Sequence, residues 1–325
     1  MSESFAFWTP VLITAGINSI IALGLYITMS SGPLSVAHAA LAGMGGYLGA
    51  VLTTNFGWPF PLAILAGTAL GFATGMVLAL LILRMNELVA GLTTLGFGET
   101  MAVIAFNIDY IGGANAFTGI PLKTTLWLVY IILALVLFAA WRYNHSRLGF
   151  AARASRDSPV TAAAMGINVA WVKLLTFGIG AAIAALGGVL RAHYILVQGP
   201  EDMGFFISVG FLIFVVFGGS YTFWGPLFGG MTLTILPELL RFSSKERFII
   251  YGVLLTVMVI IRPQGLITRV PTGVTPWGFR FLSRVWRAPA TAPELPRSSL
   301  APRPDLDRPD QASREQKERG RGPVL

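Results

Sequence analysis

The chain has 325 residues, of which 54% are hydrophobic and 12% charged, and its mean hydropathy is +0.70. An ordinary soluble domain is about 25% charged, so this composition excludes a water-soluble fold and specifies an integral membrane protein. Residues 262–325 carry 12 Lys+Arg against 6 Asp+Glu, and residues 1–261 carry 11 against 9; the basic character belongs mostly to a tail, which argues against a nucleic-acid surface.

The chain has no cysteine, which excludes disulfides, thiolate metal sites and cysteine nucleophiles. The histidines, His38, His145 and His193, are too scattered for a metal site. No Lys or Arg precedes the first apolar run, so it reads as a retained span, not a secretory signal.

A spanning helix needs about 20 mostly apolar residues. The candidates in chain order are Trp8–Met29, Ser35–Thr53, Pro61–Leu83, Leu88–Ile108, Leu126–Trp141, Leu174–Leu196, Phe206–Gly218, Trp224–Leu240 and Phe248–Ile261. The predicted fold is therefore an all-α polytopic membrane protein with about nine spans, eight to ten being admissible. Phe206–Gly218 and Trp224–Leu240 are short and separated by GGSYTFWGP, so they read either as tilted helices or as a broken, re-entrant element. The membrane-embedded body occupies residues 1–267. Residues 268–325 form a cytoplasmic tail, with WGFRFLSRVW (Trp277–Trp286) at the interface and disorder from about residue 287, where Pro, Arg, Asp, Glu and Ser dominate.

Two spans carry ionisable groups at depth, where such groups are costly and usually functional. His38 lies in SVAHAALAGMGGYLGA, whose Gly45–Gly46 pair permits a bent or closely approached backbone. Glu99 lies in TTLGFGETMAV. Each reads either as a neutral side chain bonded to a neighbouring helix or as part of a substrate path or proton relay. Asn115 belongs to IGGANAFTGIP (Ile111–Pro121), a turn cluster or an entrance lined by N–H groups. His38, Glu99, Gly45, Gly46 and Asn115 are the candidate path residues. Arg191, His193, Glu238 and Arg241 fall near span ends, where snorkelling accounts for them. The row Gly67, Gly71, Gly75 and the stretch GIGAAIAALGG (Gly178–Gly188) predict close helix packing.

The polar gap between Trp141 and Leu174 holds Arg142, Arg147, Arg153, Arg156 and Lys173 against one acid, Asp157. Its basic character places residues 142–173 in the cytoplasm, with the N-terminus outside. Asp157-Ser158-Pro159 is a helix start, with a capping side chain and then proline at the first helical position. Gly166 is a stop. The pattern predicts one short helix, Pro159–Met165, with a small-residue face. No G-x-x-x-x-G-K-[ST] phosphate loop, metal-spaced His pair or G-x-S-x-G elbow occurs, which argues against hydrolysis or phosphoryl transfer by this chain.

These motifs in order resemble the permease subunits of branched-chain amino acid ABC importers, the LivH/LivM type, and are closer to LivM. LSVAHAALAGMGGY is similar to the family's S-L-G-H-A-A-F-x-G-x-G-A-Y, and TTLGFGE to its T-L-x-F-x-E. GGANAFTGIP, the Gly149–Leu190 stretch, GSYTFWGPLFGG with PELLR, and IYGVLLTVMVIIRPQGL resemble further family segments, covering roughly Ala15 to Ile267. Departures are Gly32-Pro33, Leu41 for a frequent Phe, QGPEDM for a more neutral segment, and an unusual Arg191.

The resemblance implies inward movement of branched-chain or other hydrophobic amino acids across a bacterial inner membrane. It implies a LivH-like sister permease, two cytoplasmic ATPases that use ATP and Mg, and a periplasmic binding protein, with membrane lipid around the spans and no cofactor on this chain. It also implies a coupling role toward the ATPases for Arg156, Asp157, Ser158, Pro159, Ala162, Ala163 and Gly166. Rival readings are the same machine with urea, a short amide or a sugar as cargo, a proton- or sodium-coupled transporter using Glu99, and a non-transporting scaffold.

Overall fold

The computed structural model describes residues 2–239, with side chains from Phe7 onward, together with Gly252, Thr256, Leu266 and Ile267. The tail from residue 268, the interface segment Trp277–Trp286, Arg241 and most of the span expected at Phe248–Ile261 lie outside the described residues.

Within residues 2–239 ten α-helices follow in order: α1 (Ser2–Met29), α2 (His38–Thr54), α3 (Phe60–Ile82), α4 (Glu87–Asn107), α5 (Leu126–Asn144), α6 (Arg147–Asp157), α7 (Pro159–Ala164), α8 (Val169–Ile195), α9 (Phe205–Gly218) and α10 (Trp224–Leu239). Among the described residues, α1, α3, α4, α5 and α8 are long and apolar enough to cross a membrane. The other expected spans in this region, α2, α9 and α10, are shorter, at 17, 14 and 16 residues. A two-residue antiparallel ladder pairs β1 (Phe117–Thr118) with β2 (Val197–Gln198).

The hub is α8, which packs on α1, α2 and α3. Its small residues allow this, because packing rather than hydrophobic exclusion drives helix association in lipid. The expected row on α3 faces it: methyls added at Gly67, Gly71 and Gly75 would run into Val189, Ala185 and Ala181. Gly45 and Gly46 of α2 also face α8, so the pair first read as path-forming lies in a helix seam. α1 and α8 are mostly buried, whereas α3, α4 and α5 turn most of their surface outward. The outward face of α5 presents Trp127, Ile131, Leu135 and Phe138, large apolar groups suited to lipid.

Three expectations need correction. The gap holds two helices in tandem, since α6 precedes the expected α7. The span expected from Ser35 becomes helical only at His38, because residues 33–37 form no regular structure and are mostly buried. Snorkelling does not describe His193, which is fully buried, with Nε2 2.8 Å from Thr53 Oγ1 and Nδ1 2.8 Å from the Val189 carbonyl. Nor does it describe Arg191, which pairs with Asp202 at 2.7 Å.

Candidate functional site

Two regions concentrate polar groups. The first is the basic end of the bundle, where α6 and α7 join α5 to α8. Ser158 ends α6 and caps α7, its Oγ accepting from the Thr161 N–H at 3.3 Å. Pro159 takes the first helical position, where a missing N–H costs nothing. Gly166, with φ +83°, stops the helix. The Gly166 N–H donates to Ala163 and the Ile167 N–H to Ala162, which closes the last turn and satisfies its carbonyls.

Ala162 is buried at 2% exposure and seats α7 on the bundle. Ala163 and Asp157 face outward. Beside them Val160 is 82% exposed and Met165 77%. These exposed apolar side chains lie on a turn flanked by Arg147, Arg153, Arg156 and Lys173.

Hydrogen bonds tie the adjoining α6 to the spans, and the spans to one another. Arg153 donates to the Asn144 carbonyl at 2.9 Å, and Tyr26 of α1 donates to Asn144 Oδ1 at 3.1 Å. Ser30 and Tyr143 hydroxyls lie 2.6 Å apart, as do Ser31 and Thr176. Arg156 reaches the Ser220 carbonyl at 3.4 Å and stacks over Tyr221, linking α6 to the α9–α10 connection. The end of α9 that leads into this connection is held as well. The Leu266 and Ile267 N–H groups donate to Phe217 and Gly218, carbonyls that the end of α9 leaves unpaired.

The second region lies deep in the bundle, where α2 and α9 begin. His38 opens α2 and is fully buried, with Nε2 3.3 Å from Thr28 Oγ1 and Nδ1 3.1 Å from Ser35 Oγ. Thr28 abuts Gly180, about 17 Å along α8 from its first residue. The start of α2 therefore lies inside the bundle, at the level of the last turn of α1. Its backbone is satisfied by neighbouring helices: the Val36 N–H donates to Thr94 of α4 at 3.0 Å and the Ala39 N–H to Ser208 of α9 at 3.2 Å. Non-helical backbone inside a membrane persists only where protein or water meets its hydrogen bonds.

Glu99 is solvent-accessible in this chain, and its Oε1 accepts from the Phe205 N–H at 2.7 Å. A carboxylate at the first N–H of α9 opposes the positive end of the helix dipole. Glu99 lies about 12 Å below the far end of α4, so α9 also starts within the bundle. To reach it, residues 197–204 leave the end of α8 and turn inward. Gln198 reaches Gly46 and Met203 fills the notch at Gly43. Glu99, Val103, Phe106, Ala114, Pro200 and Glu201 line an open cleft of about 250 Å³. On the opposite side of α4 an apolar cleft of about 320 Å³, lined by Tyr47, Val51, Met101 and Met203, adjoins the Tyr47 hydroxyl, which is buried without a partner.

The structure thus brings Glu99 to an open cleft and His38 to a bonded core position, and it places Gly45 and Gly46 in a seam. Asn115 is exposed in the turn cluster next to cleft-lining Ala114. Two residues that sequence reading passed over complete this region. Leu196 (φ +67°) and Ala116 (φ +60°) immediately precede β2 and β1. Positive φ in a residue with a side chain costs of order 1–3 kcal/mol and concentrates at functional segments.

A family described as "Branched-chain amino acid transport system / permease component" matches residues 8–262. The permease protein LivM of a high-affinity branched-chain amino acid transport system of Salmonella typhimurium is 28% identical, over 82% of this chain and 70% of its own length. LivH of Escherichia coli is 25% identical over 83% of this chain and 98% of its own. A probable branched-chain amino acid transport permease protein LivM of Methanocaldococcus jannaschii is 27% identical over 66% and 70%. No solved structure matches. With its apolar spanning helices, the chain is a multi-pass membrane protein that belongs to the branched-chain amino acid transport system permease family.

Proposed function

We propose that this chain is the membrane-spanning subunit of an ATP-binding-cassette importer and carries branched-chain or other hydrophobic amino acids inward across the bacterial inner membrane. A sister permease completes the path, a periplasmic binding protein delivers cargo, and two cytoplasmic ATPases, using ATP and Mg, do the work. The observation that carries this reading is the exposed apolar surface of α7 next to α6, which Arg153 fixes by hydrogen bonds to Asn144 at the end of α5. Six of the eight Lys and Arg within residues 7–239 flank this end: Arg84, Arg142, Arg147, Arg153, Arg156 and Lys173. That bias supports a cytoplasmic assignment.

The coupling route runs from α6 through Asn144 and Tyr26 to the end of α1. From there Ser30, Ser31 and Ser35 lead to His38 and the start of α2. His38 is a positioning residue in this reading, and Glu99 shapes the path directly. The apolar cleft beside α4 supports an aliphatic cargo.

Reconstituted with its partners, the complex should accumulate leucine, isoleucine or valine with ATP, and an uncoupler should leave the rate unchanged. Uptake that collapses with the uncoupler at constant ATP would instead identify the ion-coupled rival. Glu99→Gln keeps an acceptor for the Phe205 N–H, so the fold should persist while uptake falls at least about tenfold, a loss of roughly 1.4 kcal/mol. Full uptake in both Glu99→Gln and His38→Ala would remove both residues from the transport path.

A further inference from the structure

Residues 197–204 combine features that a plain connection does not need. They turn back into the bundle and form the wall of the Glu99 cleft through Pro200, Glu201 and Gly204. A positive-φ residue stands at the start of each strand of their ladder, Ala116 before Phe117 and Leu196 before Val197. The ladder is two residues long, so little main-chain pairing holds the segment to its neighbour.

Side chains hold it instead. Arg191 Nη2 donates to Asp202 Oδ1 at 2.7 Å, and both side chains are about three-quarters buried, at 25% and 23% exposure. The second carboxylate oxygen accepts from the Gly199 N–H at 3.1 Å and from Gln198 Nε2 at 3.3 Å. One carboxylate therefore ties three points of the segment together and anchors them to α8. Below it, Met203 is 2% exposed against Gly43, and the Phe205 N–H rests on Glu99. A partly buried ion pair is a poor way to gain stability, because desolvation offsets its attraction. It is well suited to defining one arrangement of a segment that has two.

We propose that the Arg191–Asp202 pair latches residues 197–204 as a gate at one wall of the Glu99 cleft, and that breaking the pair lets the segment swing on Leu196, uncover Met203 and widen the cleft into the bundle during transport. This rests on the transport reading above, under which the cleft faces the periplasm. Arg191 and Asp202 act through the segment they position and need not touch cargo.

The cysteine-free chain permits a direct test. A Met203→Cys reporter is placed in the assembled complex and challenged with a membrane-impermeant maleimide. With Arg191 intact and no nucleotide the thiol should react slowly. Arg191→Gln should speed labelling at least tenfold, Arg191→Lys should do so less, and ATP turnover with Arg191 intact should also speed it. Labelling unaffected by Arg191→Gln would overturn the latch. Labelling raised by that variant but unaffected by turnover would reduce the pair to a static staple and overturn the gate. Pro200→Cys, also buried in its native form, serves as a second reporter if Met203→Cys does not fold. The labelling rates of the variant need no cargo, so a complex that carries no branched-chain amino acid yet shows both accelerations would reject the cargo assignment while keeping the gate.

Discussion

Ala163→Arg yields a chain that inserts and folds but does not hold its ATPase. The side chain at 163 points away from the bundle on α7, between the neighbouring turns that carry Val160 and Met165. Arginine is a good helix former, so α7 itself tolerates the change. The cost falls on the complex, because a guanidinium in a docked apolar patch must shed water without a built partner. A substitution at the centre of such an interface removes about 2–4 kcal/mol of binding, enough to abolish co-purification at micromolar concentrations. Ala162→Arg is the contrasting variant. Ala162 is 2% exposed, so arginine there should unseat α7 and reduce the yield of folded chain. Undiminished co-purification of ATPase with Ala163→Arg would end the coupling assignment for this helix.

The legible parts of this molecule were those written within about one helix of sequence. α7 could be read because its cap, proline and glycine lie within nine residues of one another. The Gly67–Gly71–Gly75 row could be read because its spacing is that of a helix face. α6 escaped because Gly149 interrupts an otherwise short apolar pattern; that glycine is required where α6 passes over the Tyr143 carbonyl at the end of α5. The broken starts of α2 and α9 were invisible for a different reason. Their backbone is satisfied by Thr94, Ser208 and Glu99, residues 58, 169 and 106 positions away. Periodicity reports the face of a helix but not what meets it. For the same reason His38 and His193 could be marked as deep or terminal, yet not as bonded to Thr28 and Thr53. Arg191 and the acidic turn at Asp202 were each noted as unusual, and only the fold shows that each accounts for the other.

Gly180→Val should have the largest effect on the fold itself. A methyl at Gly180 would meet Thr28 Oγ1 and lie 2.5 Å from the Gly24 carbonyl, and Gly24 in turn approaches the Gly180 carbonyl. The obstruction is mostly backbone, so no side-chain rotation relieves it. Overpacking a core costs typically 1–3 kcal/mol, and forcing α1 off α8 should reach at least the upper end, about 3 kcal/mol. The damage spreads because Thr28 also meets His38, which opens α2. Gly96→Ala provides the counterpart. Gly96 is exposed on α4 with nothing within 4 Å of an added methyl, so alanine should stabilise the purified subunit by up to about 1 kcal/mol through helix propensity alone. Thermal unfolding in detergent reads both. A midpoint for Gly180→Val within about one degree of the parent, equivalent to about 0.7 kcal/mol, would show that the α1–α8 seam is not the close contact on which this bundle is built.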